Sequence, residues 1–235
     1  MANTSGNAYA LQILSPIRKG HQGEIAYADL VRERLQEWNL RPNSPMAQVP
    51  QTYLCRYFVL DDVYTESLPG NDLWGTVSDI TSVVSDQARR DALPKEDHLQ
   101  SKYLVFSSNF HGDLDTYLRG MWNAIGEDVR QVWEFCYAFE RVRNADDFIA
   151  YMKQCQLTVT LFFVGSNDEP LEEQLKALYL KQEMSKFVLR TQGMPVAQLQ
   201  QEYKKFIAQV QPANLVAPSW KPGQYRLDQQ ERAAS

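Results

Sequence analysis

Lys102-Tyr-Leu-Val-Phe-Ser-Ser-Asn-Phe-His-Gly-Asp-Leu-Asp-Thr-Tyr-Leu118 is the stretch on which the reading of this chain turns. Its first part, Tyr103 to Ser107, has the aromatic and aliphatic composition of a strand. A tight polar turn follows. Leu114, Tyr117, Leu118, Met121, Trp122 and Ile125 then recur at three- and four-residue steps, which predicts a helix with one apolar stripe. Asp113 stands where a short carboxylate caps such a helix. A strand that runs through this turn into a helix gathers backbone amides and short polar side chains at a helix N-terminus, where anions and polar ligands are readily held.

Three more segments read as strands: Tyr9 to Ile17, Thr52 to Leu60 and Leu157 to Val164. Further helices are predicted over Tyr27 to Trp38, Val129 to Tyr137 and Ala145 to Met152, the last capped by Asn144. Strand, helix, strand, strand, helices, strand is the split βαβ order. The expected fold is therefore α+β: a ferredoxin-like, four-stranded antiparallel sheet with helices on one face, spanning 8–165. The connection at 61–101 is long for a hairpin and carries Pro69-Gly70, a helix around Ile80 to Ala88, and Pro94. Connections of this length serve as lids or partner-binding loops. Two more helices, Pro170 to Leu189 and Val196 to Val210, form an appendage over 170–210, and 211–235 reads as an extended tail. One face of the sheet is left without helices, so the appendage, a second copy or a ligand is expected on it.

Composition narrows the setting. Of the 235 residues 44% are hydrophobic, enough for a sizeable core, which excludes global disorder. The 24 basic and 29 acidic side chains leave a formal charge of −5, without the basic excess of a nucleic-acid surface, so no nucleic-acid partner is expected. Cys55, Cys136 and Cys155 form no Cys-x-x-Cys pair and read as reduced thiols. The segment Met1 to Asn7 is neither basic nor apolar, and no apolar run approaches the roughly 20 residues that cross a bilayer. A cytoplasmic protein with no signal peptide and no membrane span is expected.

His111, set beside Ser107, Ser108, Asn109 and Asp113, is the leading candidate for chemistry, as a proton shuttle or metal ligand. The competing reading is a plain turn histidine. Arg56, the one charge in an apolar strand, is the second candidate, because its fork matches a carboxylate or phosphate; a structural ion pair is the alternative. Ser107, Ser108, Asn109, Asp113 and Tyr117 complete the candidate ligand-binding set. His21 and His98 have no ligand spacing with His111, so no metal site is expected. Cys55 and Cys136 read as packed thiols, and Trp122, Trp133 and Tyr137 as core. Glycine-rich phosphate loops, Gly-x-Ser-x-Gly elbows and His-Glu-x-x-His motifs are missing from the sequence.

Leu104 to Leu118, Val132-Trp-Glu-Phe-Cys-Tyr137, Asp147-Phe-Ile-Ala-Tyr151 and the strand Tyr53-Leu-Cys-Arg-Tyr-Phe-Val-Leu60 together resemble a poorly characterised group of ferredoxin-like domains. The likeness runs from about Thr52 to Leu189, and His111 stands where that group usually has an aspartate. The resemblance implies a dimeric α+β-barrel-like protein, an architecture shared by haem-dependent and small-molecule enzymes, so haem enters only by that route. Two functions are expected to compete. One is a homodimeric small-molecule-binding protein of oxidoreductase type, with the ligand held between sheet and helices by Arg56, Asn109 and His111. The other is a non-catalytic interaction protein that uses the long connection, the C-terminal helices and the tail.

Overall fold

The computed structural model describes residues 3–62, 99–165 and 168–223. The helix expected around Ile80 to Ala88 and the end of the tail, 224–235, lie outside the described residues. In chain order the elements are β1 (Thr4–Ser5), β2 (Ala8–Pro16), β3 (His21–Gln22), β4 (Ile25–Ala26), α1 (Tyr27–Leu40), β5 (Thr52–Leu60), β6 (Tyr103–His111), α2 (Leu114–Trp133), α3 (Ala145–Cys155), α4 (Leu171–Thr191) and α5 (Val196–Val210). β1, β2, β6 and β5, in that order, make one antiparallel sheet, and β3 and β4 make a small hairpin. With its helices the fold is α+β.

Strand alternation assigns each residue a face. Leu11 opposes Ser108, Ile13 opposes Phe106 and Ser15 opposes Leu104, with Cys55 and Tyr57 on the far side of β6. This face shares one core with Val31 of α1, Leu118, Met121 and Trp133 of α2, and Phe148 and Met152 of α3. Trp133 meets Tyr57 and Phe106 edge-on and donates its indole N–H to Ser15 Oγ at 3.1 Å. A cavity of about 540 Å³ remains between α1 and β5, lined among others by Leu35, Trp38, Met46 and Cys55. The opposite face carries Ala8, Ala10 and Gln12 of β2, Ser107, Asn109 and His111 of β6, and Leu54, Arg56 and Phe58 of β5. Leu54 and Phe58 are 50% and 48% exposed, and among the described residues no helical layer covers that side.

Two strand expectations change. β6 runs past Ser107 to His111, because Ser108 and Phe110 continue the inward alternation of Leu104 and Phe106, and Ala8 to Leu11 supply partners for them. The turn shrinks to Gly112 and Asp113, with Gly112 at φ +101°, a conformation that favours glycine. Leu157 to Val164, despite its β-branched composition, is not a strand. The β2 edge it would pair with is taken by β1 and by the Asn3 side chain. That amide donates to the carbonyls of Ala10 (3.0 Å) and Leu157 (3.3 Å) and accepts from Val159 N–H at 3.4 Å. Only Gln156 bridges to Ile13, with the Leu157 amide donating to the Gln12 carbonyl at 2.8 Å.

The helices follow their patterns with two adjustments. The stretches expected as separate helices after Gly112 are one element, α2, interrupted at Ile125 (φ −138°, ψ 28°). The tail is not extended where it is described. Asn214 Oδ1 accepts from the amides of Val216 and Ala217, both at 3.1 Å, and the buried Lys176 ammonium donates to the carbonyls of Val210 (2.5 Å) and Pro218 (2.6 Å). α4 and α5 pack on each other through a small core of their own, Phe187, Phe206 and Val210. Among the described residues no helix is long and apolar enough to cross a membrane.

Candidate functional site

His111 is the last residue of β6 and opposes Ala8 at the start of β2. The Gly6–Asn7 turn that joins β1 to β2 lies beside it. Gly6 sits at φ +60°, and a Cβ there would collide with the Asp168 carboxylate, so the close approach requires glycine. The Asn7 amide donates to both Asp168 oxygens, at 3.1 and 2.9 Å. Asp168 Oδ1 in turn faces His111 Nε2 at 3.2 Å. On another side the Tyr53 ring meets the imidazole edge-on, with centroids 4.8 Å apart, and the Tyr53 hydroxyl donates to the Glu169 carbonyl at 2.9 Å.

The ring is thus held in place, and only 8% of His111 is exposed. Its Nδ1 is buried and has no hydrogen-bond partner among the described residues. His111 lines a cavity of about 290 Å³ whose other walls include Ala8, Leu54, Asn109, Phe162 and Phe163. In the neutral imidazole the nitrogen that faces the carboxylate carries the proton and the lone pair lies on the other. In that form Nδ1 is a buried hydrogen-bond acceptor without a partner among the described residues.

The residues singled out in the sequence separate across the sheet. His111, Asn109, Ser107 and Arg56 share the open face, and Arg56 lies directly opposite Ser107. Ser107 Oγ accepts from Gln12 Nε2 at 2.7 Å. Ser108 and Tyr117 lie on the other face, inside the core. Their hydroxyls are 2.7 Å apart, the Tyr117 hydroxyl is 3.1 Å from Thr52 Oγ1, and the Tyr117 ring stacks on Phe110 at 3.7 Å. Burial pushes the Tyr117 hydroxyl up to about 12. Asp113 caps α2 by accepting from the Thr116 amide at 2.9 Å, which holds its carboxyl below the usual carboxylate range. These three are accounted for by core and cap, and the site residues that sequence reasoning missed are Asp168, Tyr53 and the two phenylalanines.

Other chemistry finds less support. Burial pushes the Cys55 thiol up to about 11 and the Cys136 thiol up as well, so neither resembles an activated nucleophile. Among the described residues no group of three or more His, Cys, Asp or Glu side chains is placed to hold a metal ion. No protein-family model, curated protein or solved structure matches this chain.

Proposed function

We propose that this chain binds a small molecule at His111, on the open face of a ferredoxin-like sheet whose fourth strand is reduced to the bridge at Gln156. The topology supports the second part: β6 lies between β2 and β5, antiparallel to both, and the chain after α3 returns to the β2 edge beside β1. One observation carries the first part, the buried and unpartnered Nδ1 beside a cavity. A buried polar atom without a partner costs about 1–3 kcal/mol, so its retention needs a reason. A ligand that donates to Nδ1 supplies one. The cavity lies near the lower end of the range for small-molecule sites.

Nitrogen-15 NMR of histidine-labelled protein tests this reading together with a thermal-shift ligand screen. His111 is expected as the Nε2–H tautomer, and a stabilising ligand should move its Nδ1 resonance. His111→Gln should weaken that ligand by about tenfold or more, as expected for one lost buried hydrogen bond. Stabilising ligands that ignore His111→Gln would refute the assignment.

A second reading rests on α5. Val196, Leu199, Tyr203 and Ile207 recur at helical spacing yet remain exposed. Such a stripe suits contact with a second copy. Leu199→Lys with Tyr203→Lys should then halve the mass seen by light scattering. A wild-type protein that stays monomeric at high micromolar concentration ends that reading.

A further inference from the structure

We infer that the ligand of the His111 site is an elongated aryl carboxylate with a hydroxyl at its far end; this rests on the small-molecule reading above. The open face is organised in rows. Next to His111 comes Asn109, between Ala10 and Leu54, and then Ser107, between Gln12 and Arg56. Four residue steps along β6 separate His111 from Ser107, about 13 Å at about 3.3 Å per residue. Each end of this track asks for a different group. At His111 the lone pair on Nδ1 calls for a donor such as a hydroxyl. At the other end Arg56 is exposed and makes no hydrogen bond or ion pair among the described residues. Beside it, Ser107 accepts from Gln12, so its own O–H is free to donate.

A guanidinium and a hydroxyl side by side present donors to a planar anion. On this face Arg56 is the one cation among the strand residues, which suits a monoanionic carboxylate better than a dianionic phosphate. The middle of the track carries the Asn109 amide beside the exposed, apolar Leu54, while Ala8 and Ala10 on its other side are buried. Leu54, Phe162 and Phe163 flank the cavity, and Phe163 is 81% exposed, an apolar ring that a flat ligand would cover. Donor, flat apolar body and carboxylate in that order describe a hydroxyaryl carboxylate.

Isothermal titration with three probes tests the inference: 4-hydroxycinnamate, its methyl ether 4-methoxycinnamate, and 4-vinylphenol, which lacks the carboxylate. 4-Hydroxycinnamate should bind best, and loss of either polar end should weaken binding by about tenfold or more. Arg56→Gln should weaken 4-hydroxycinnamate by a similar factor and leave 4-vinylphenol unchanged. Arg56→Lys, which keeps the charge but loses the fork, should fall between the two. Equal affinity for 4-hydroxycinnamate and 4-vinylphenol overturns the carboxylate assignment while the His111 site stands. Failure of 4-hydroxycinnamate to bind also overturns it. Binding of 4-hydroxycinnamate that ignores both Arg56→Gln and His111→Gln overturns the inference and the site together.

Discussion

Ser15 is wholly buried on β2, and its hydroxyl accepts the indole N–H of Trp133, the largest fully buried side chain of the core. Ser15→Ala removes the acceptor and leaves that N–H without a partner, so urea unfolding should show a loss of about 1–3 kcal/mol. Cys55 permits a pH argument. Burial disfavours the thiolate and pushes the Cys55 thiol up to about 11, above the ordinary thiol range. The folded state therefore prefers the neutral thiol; that preference is in full force below the unfolded value and is lost as pH rises through the folded one. At pH 8 iodoacetamide should alkylate Cys55 roughly a hundredfold more slowly in native protein than in urea. Equal rates would show that the thiol is not protected. Of the candidate site, this scale made His111 and Arg56 stand out, since both are conspicuous by residue type in their segments. Asp168 was invisible, because nothing in its spacing from His111 marks a partner across the fold.

Helix termini were readable because caps depend on a few neighbouring residues. Asp113 and Asn144 were both expected as caps, and both accept the amides that role demands, Thr116 for the first and Asp146 and Asp147 for the second. Asp113→Ala should lower stability by about 1 kcal/mol. With the carboxyl held below its usual range, the Asp113 contribution is present above the unfolded value and is lost as pH falls through the folded one. The wild-type and alanine proteins should therefore converge in melting temperature in acid. A constant gap down to low pH would count against the charged cap. Leu157 to Val164 marks the limit of this scale. Its composition suits a strand, but pairing is decided by who holds the neighbouring edge, and Asn3, far away in sequence, helps to hold it. The end of β6 was misread for a related reason: serine, asparagine and histidine suggest a turn until the inward alternation of Ser108 and Phe110 is set against β2.

Two separate apolar clusters shape the whole molecule. The large one joins β2, β5 and β6 to α1, α2 and α3, while Phe187, Phe206 and Val210 hold α4 to α5. Phe206→Ala should release the helical pair and leave the sheet core intact, with a loss at the scale of about 3–5 kcal/mol confined to that unit. Hydrogen exchange should then show the amides of α4 and α5 opening together while those of β2 and β6 remain protected. A single cooperative loss of protection in both would show that the clusters fold as one. The α+β class and the antiparallel sheet were legible from alternation and element order, which are properties of segments. The cavity was not, since its walls come from parts of the chain as far apart as Ala8, Leu54, His111 and Phe162. The meeting of the Gly6–Asn7 turn with Asp168 has a consequence for biosynthesis. The N-terminal turn emerges from the ribosome long before the carboxylate that it grips, so a nascent chain carries its imidazole unclamped until Asp168 has been added. A product terminated before that residue would possess the strands of the sheet but not the grip.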